Sequence, residues 1–258
     1  MRSYEEYRAI LVLWEEGENK KAISRILDIP RRTVVDCIKR YDSVQGLEDS
    51  IERASRSTPD EALARIGNAE NTETQKAYAY LLGLYLGDGS ISLSKGHRVY
   101  KLRVTLDKRY PNIINACGQT IQVILPNNHP GSAQKPGCID VVSYYKFWPD
   151  IFPQHGKGRK HEREIALEAW QLKIVDTYPL ELFRGLYHSD GSRDSNIVNG
   201  KSYPRYAFRN MSQNILRLFC YACNLLELHW TIASNGTSVN ISKRPDVAFL
   251  DTHIGPKS

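Results

Sequence analysis

Cysteine, methionine and long apolar runs are all scarce in this chain. Five of its 258 residues are cysteine (Cys37, Cys117, Cys138, Cys220 and Cys223), an odd and scattered set. That argues against a disulfide framework and for a reducing, cytoplasmic compartment. Cys220-x-x-Cys223 has no second pair at zinc spacing, so both read as small hydrophobes. The longest stretch without a charged or strongly polar residue, Ala77 to Gly87, spans 11 residues. A bilayer span needs about 20, so no transmembrane helix is expected. The opening Met1-Arg2-Ser3-Tyr4-Glu5-Glu6 carries acids and no apolar core, so no secretory signal is expected. There is no glycine-rich nucleotide loop and no His-rich nuclease motif.

What is present suits an ordinary globular protein: 41% hydrophobic and 25% charged residues. The net charge of +6 is unevenly spread. Residues 1–45 hold 9 Lys/Arg against 8 Asp/Glu, residues 46–75 hold 3 against 7, and residues 76–258 hold 23 against 14. The basic excess therefore belongs to the last part of the chain, and a field of that sign favours a polyanionic partner.

The first segment reads as three short helices. Tyr7, Ile10, Leu11 and Trp14 share one face of a helix from Tyr4 to Glu16, which Gly17 can close. Lys20 to Leu27 carries Ala22, Ile23 and Ile26. After an Asp28-Ile29-Pro30 turn, Arg31 to Tyr41 turns Val34, Val35 and Ile38 inward. This is the helix-turn-helix pattern, and its second helix offers Arg31, Arg32, Lys39 and Arg40 to a DNA groove. Residues 46–75 turn acidic and read as a linker, with a short helix ending near Arg65.

Past residue 75 the chain repeats itself. Leu81-Leu82-Gly83-Leu84-Tyr85-Leu86-Gly87-Asp88-Gly89-Ser90 matches Phe183-Arg184-Gly185-Leu186-Tyr187-His188-Ser189-Asp190-Gly191-Ser192 at an offset of 102. The same offset sets Arg103 on Arg205, Ile113 on Ile215 and Ile139 on Ile241. Two copies are expected, residues 76–175 and 176–258, each running helix, two strands, helix, two strands, helix. Tyr100, Leu102, Val104 and Leu106 alternate with Lys101, Arg103 and Thr105; Tyr206 and Phe208 alternate with Arg205, Ala207 and Arg209. That is a sheet with one buried side and one wet, basic side. Helices from Pro111 to Leu125 and Gln213 to Leu226 would cover the buried side. Later strands are expected at Cys138–Tyr145 and Thr237–Arg244.

The paired motifs, their spacing and the element order resemble LAGLIDADG homing endonucleases of the single-chain, two-motif type, here with an added N-terminal helix-turn-helix. The resemblance covers residues 76 to 258. It implies an α+β fold of duplicated αββαββα halves forming a saddle, preceded by a small all-α domain. Gly83, Gly87, Gly185 and Ser189 sit four apart in pairs, so small residues line one helix face and let two helices approach closely. The resemblance makes this the interface between the halves.

Asp88 and Asp190 fall at the C-terminal ends of those helices, facing negative dipole ends and each other, which is costly unless a cation sits between them. The resemblance implies divalent metal there, Mg²⁺ foremost, with Mn²⁺ or Ca²⁺ able to occupy the same place. The carbonyls of Gly87 and Ser189 would assist. Lys160 and Lys257 match the family's lysine after the third helix, though 97 rather than 102 residues apart. Lys101, Arg103, Arg205 and Arg209 are the candidate DNA-facing residues of the sheets.

The activity implied is site-specific cleavage of double-stranded DNA by a monomer with internal pseudo-two-fold symmetry. Without flanking intein blocks, the chain is expected to be free-standing or intron-encoded, hence linked to intron mobility, and nucleoid-associated when bound. The competing reading is a DNA-binding transcriptional regulator of the same fold that no longer cuts; a maturase-like RNA binder comes third. Retention of both Asp88 and Asp190 favours the enzyme.

Overall fold

The computed structural model describes residues 3–49, 61–94 and 99–258. It begins with three helices, α1 (Tyr4–Glu15), α2 (Lys20–Ile26) and α3 (Arg31–Tyr41). The starts are set by capping. Ser3 and Glu6 form a reciprocal capping box, and Asn19 accepts the Lys21 and Ala22 amides at 3.1 Å. Gly17, at φ +88°, turns the chain out of α1. Ile10, Leu11, Ile23, Ile29, Val34, Cys37 and Ile38 form their shared core. Two expectations change. Ile26 points outward and is 58% exposed, and Cys37 rather than Val35 fills the fully buried position of α3. The interior side of a helix this short is set by where its neighbours cross it.

The acidic segment is not all linker. Helix α4 (Glu61–Gly67) buries Ala62, Leu63 and Ile66 in the main core, and Thr72 already opens the first motif helix. This is the short helix expected to end near Arg65; it shows Glu61 outward and needs only one apolar face. Residues 50–60 of that linker lie outside the described residues.

The main body is two αββαββα units. The first runs α5 (Thr72–Asp88), β1 (Gly89–Leu93), β2 (Tyr100–Asp107), α6 (Pro111–Ile124), β3 (Gly131–Lys135), β4 (Cys138–Tyr145) and α7 (Trp148–Ile151). A 3₁₀ turn at Lys160–Glu162 and helix α8 (Ala169–Thr177) lead to the second unit. That unit is α9 (Pro179–Asp190), β5 (Gly191–Val198), β6 (Lys201–Arg209), α10 (Gln213–Leu225), β7 (Thr231–Ile232), β8 (Ser238–Ile241) and α11 (Arg244–His253). Each unit folds one antiparallel four-stranded sheet, ordered β1-β2-β4-β3 and β5-β6-β8-β7. Among the described residues no helix is long and apolar enough to cross a membrane.

The sheets are one-sided, as their alternation requires. Leu102, Val104 and Leu106 are buried while Lys101, Arg103 and Thr105 lie on the open face; Tyr206 and Phe208 repeat the pattern. In the second unit Phe208 stacks on Phe219 of α10 at 4.3 Å between ring centroids. In the first, Trp148 and Phe152 close the corner, and Phe152 stacks on Tyr85 of α5 at 4.4 Å.

The constant offset of 102 does not survive into the sheets. Gly89 pairs with Val104, whereas Gly191 pairs with Phe208, an offset of 104 on the second strand. Val104 pairs with Val141 and Phe208 with Val239, an offset of 98 on the inner strand that follows. At Ile113 and Ile215 of the covering helices the 102 is restored. The second hairpin is longer by two residues and its connection to the helix shorter by two. Because the shift is even, every side chain keeps its face. Arg205 therefore corresponds to Lys101, Arg103 to Ala207, and Ile241 to Ser143 rather than to Ile139. The last strand is also shorter than expected: it ends at Ile241, and Arg244 opens α11 behind Lys243 with Pro245 in the first turn.

Candidate functional site

The two motif helices pack backbone to backbone. A Cβ added at Gly83 would lie 2.6 Å from the Leu186 nitrogen and 2.7 Å from the Leu182 carbonyl. One added at Gly185 would overlap the Tyr80 carbonyl and lie 2.9 Å from Gly83 Cα. One turn on, a Cβ at Gly87 would overlap the Ser189 side chain and come within 3.0 Å of Asp190 Oδ2. Real Cβ atoms do not approach so closely, so the contact exists only with glycine there. Both helices end at an aspartate, and both chains then enter a strand through glycine. A Cβ on Gly89 would sit 2.7 Å from the Tyr85 ring, and one on Gly191 2.6 Å from the Tyr187 carbonyl. The small-residue register thus carries Asp88 and Asp190 to one place.

Lys160 and Lys257 arrive at equivalent points of this centre. Lys160 Nζ donates to the carbonyls of Tyr85, Gly87 (3.1 Å) and Gly89 (2.7 Å). Lys257 Nζ donates to the Ser189 carbonyl at 2.8 Å. Each lysine therefore caps the C-terminal end of its own half's motif helix, where a cation is favoured. The unequal spacing in sequence reflects different loop lengths, not different placement.

Two clefts flank the helix ends. One, of about 660 Å³, is lined by Lys160, Arg163, Asp190, Arg209 and Asn210. The other, of about 600 Å³, is lined by Asp88, Thr105, Tyr110, His188 and Lys257. Each cleft joins the aspartate of one half to the lysine of the other. Arg163 and Asn210 had no motif to announce them. Asn210 donates to Asp190 Oδ2 at 2.8 Å, immediately after the end of β6.

Electrostatics at the centre are strained. Burial and the neighbouring Asp190 carboxylate push Asp88 up to about 6, against the pull of Lys257 and Lys160. Burial also raises Asp190, opposed by the Asn210 hydrogen bond and both lysines. Burial brings Lys160 down to about 8 and lowers Lys257. His188 is driven to about 3 by burial and by Arg184, and its Nδ1 shares a 2.8 Å hydrogen bond with the Tyr80 hydroxyl. It is a neutral link between the helices, not a proton acceptor of ordinary strength. His155, beside Tyr100 at 5.9 Å, is lowered by burial and Arg163.

A consequence for stability follows from Asp88. Its folded-state value lies above the ordinary 3.8, so folding favours the protonated form. That contribution is present at acid pH and is lost as pH rises through about 6. At pH about 7.5 in EDTA, Asp88→Asn should stabilise the protein by on the order of 1–3 kcal/mol, and the gain should vanish below about pH 4. Urea denaturation of both proteins at the two pH values measures this.

Other predicted residues are placed as follows. Arg31, Arg32 and Lys39 are exposed on α3, but Arg40 is engaged: its guanidinium pairs with Glu168 at 2.6 Å. Arg205 pairs with Asp194 at 3.3 Å, and Arg209 donates to Ser238 Oγ at 3.2 Å. Lys101 and Arg103 lie on the open face of the first sheet, and Arg103 Nε is buried without a hydrogen-bond partner. All five cysteines are free, and Cys220 and Cys223 are packed into α10. Among the described residues no cluster of three or more His, Cys, Asp or Glu could hold a metal. A cation here would be held by the two aspartates with backbone and other oxygens. The donor set fits that use: two desolvated carboxylates that repel one another, beside carbonyls with a second lone pair free.

Residues 2–51 match the model of the homeodomain-like domain family. No curated protein matches the chain. Solved structures similar to the chain include a homing endonuclease and a LAGLIDADG domain. The homing endonuclease I-DmoI, in its mesophilic variants, is 17% identical with a TM-score of 0.49, covering 70% of this chain and 97% of that one. I-DmoI in complex with DNA and Mn is 16% identical at the same TM-score and coverage. The N-terminal LAGLIDADG domain of DUF199/WhiA is 12% identical with a TM-score of 0.44, covering 82% of this chain and 91% of that one.

Proposed function

We propose that the protein is a site-specific, divalent-metal-dependent endonuclease of double-stranded DNA. The observation that carries this reading is the pair of clefts, each setting the aspartate of one half beside the lysine of the other. Two such centres related by a duplication suit two antiparallel strands. We assign the N-terminal three helices as the DNA-binding helix-turn-helix, and the units opening at α5 and α9 as the two halves. The internal duplication supplies what a dimer otherwise would, so the working form is a monomer.

Asp88 and Asp190 would hold Mg²⁺, with the carbonyls of Gly87 and Ser189 in support. The metal would supply an activated water and a counter-charge for the leaving oxygen. Lys160 and Lys257 fix the helix-end carbonyls and place positive charge where negative charge develops on the phosphate. Asn210 orients Asp190. Lys101, Arg103, Arg205 and Arg209, on the open sheet faces, contact bases and phosphates. Arg31, Arg32 and Lys39 do so from α3.

A non-cutting regulator would equally use the homeodomain-like segment. It would have no use for two desolvated carboxylates held against each other, which cost stability. Lys160→Met is expected to slow cleavage by about 10²–10³-fold, the usual worth of one charge-stabilising donor, with duplex affinity changed far less. Single-turnover cleavage beside filter binding measures both. Unchanged cleavage would remove Lys160 from the mechanism.

A further inference from the structure

The helix-turn-helix does not sit beside the carboxylate centre. It docks on α8, which has two opposed faces. At about 100° per residue, Glu168, Ala169, Lys173 and Asp176 gather on one side and Trp170, Gln171 and Ile174 on the other. The first set meets the helix-turn-helix. Glu168 takes Arg40 of α3, Ala169 enters the small domain's core, and Lys173 Nζ lies 5.6 Å over the Tyr4 ring. Asp176 accepts the Tyr4 amide at 3.0 Å and also the Tyr221 hydroxyl of α10.

The second set meets the motif helices far from their aspartates. Gln171 Nε2 donates to the Tyr78 hydroxyl at 2.6 Å and exchanges hydrogen bonds with Gln154. Trp170 packs on Tyr78 at 5.1 Å between ring centroids. Tyr78 stands ten residues before Asp88 on α5, about 15 Å along the helix at 1.5 Å per residue. Helix α8 also ends where α9 begins. The small domain is thus held beyond α8, at the end of the motif helices opposite Asp88 and Asp190. Its α3 keeps Arg31, Arg32 and Lys39 in solvent in this docked position.

From this arrangement we infer that the helix-turn-helix and the sheet faces bind two separate segments of duplex DNA, so that one protein bridges them. The inference rests on the reading of both surfaces as duplex-binding. A single short duplex lying along the sheets at the carboxylate end cannot also reach α3. It would have to turn back around the protein, and bending even 20–30 bp by 40–90° already costs about 1–6 kcal/mol. A second segment, from a distant part of the same molecule or another, meets α3 without that cost. The ion pair and hydrogen bonds to Glu168 and Asp176 keep the two surfaces apart.

The test is binding stoichiometry of the full chain with duplexes of about 20 bp, two helical turns, by sedimentation in Ca²⁺ at low salt. Two duplexes per protein are expected, with a labelled duplex captured on beads carrying an unlabelled one. Arg31→Ala/Arg32→Ala and, separately, Lys101→Ala/Arg205→Ala should each reduce the ratio from two to one. One duplex per wild-type protein, protected from cleavage reagents by both surfaces at once, would overturn the inference and leave the endonuclease reading standing. A protein that binds no duplex would remove both. A ratio of two that neither double variant lowers would also overturn it, because the second duplex would then bind elsewhere.

Discussion

Asp88→Asn and Asp190→Asn should each abolish double-strand cleavage, by at least about 10³-fold, while duplex binding stays within a few-fold of wild type. The argument is electrostatic. Each substitution keeps the side-chain shape at the helix end but removes a charge that a divalent cation needs. It also relieves repulsion with the surviving aspartate, so the fold should gain rather than lose. Activity and stability therefore move in opposite directions, which separates this outcome from loss of folding. The two single variants carry a further distinction. If each cleft serves one strand, a variant that keeps residual activity should nick rather than cut through, and supercoiled plasmid would reveal it as open circles. Substantial double-strand cutting by either variant would sink the assignment.

Gly185→Val should cost about 4 kcal/mol or more and should prevent accumulation of folded protein. Its new Cβ would fall on the Tyr80 carbonyl and within 2.9 Å of Gly83 Cα, where no side chain can swing away. The helices would have to separate, and α5 is buried along almost its whole apolar run from Tyr78 to Leu86. The contrast is Gly118 of α6, whose added Cβ meets nothing within 4 Å. Gly118→Ala should stabilise by about 0.5–1 kcal/mol by removing backbone freedom from the unfolded chain. Soluble yield and circular dichroism of Gly185→Val, beside guanidinium denaturation of Gly118→Ala, check the pair. A tolerated Gly185→Val would mean that the halves are not held by this contact.

These effects trace to features of different legibility. The motif helices were readable because one physical demand fixes several residues at once. Close helix approach needs Gly83, Gly87 and Gly185, and the sharp entry into each strand needs Gly89 and Gly191. The sheet faces were readable because alternation has a period of two and an even register shift preserves it. That same tolerance hid the register. Nothing in the sequence distinguishes Arg205 as partner of Arg103 from Arg205 as partner of Lys101 when both keep the same side.

Lys160 and Lys257 are candidates by resemblance alone, at a spacing that breaks the repeat; their equivalence lies in tertiary placement, where both bond to helix-end carbonyls. Asn210 and Arg163 reach the cleft through tertiary placement and carry no local signal. Arg40 shows a related limit. On an isolated helix it is a groove-facing cation, and its partner Glu168 lies 128 residues away. The short helix before Arg65 is legible in the sequence, but its docking is not, since composition reports the solvent face and is silent about Leu63 and Ile66 beneath it.

The central claim is most directly tested by incubating the protein with a randomised duplex-DNA library in Mg²⁺ and sequencing the ends, beside an Asp88→Asn/Asp190→Asn control. Metal-dependent ends from both strands at one long recurring site, absent with the control, are the predicted result. Specific retention of a site with no ends in Mg²⁺ or Mn²⁺ would contradict it and make the protein a DNA-binding regulator.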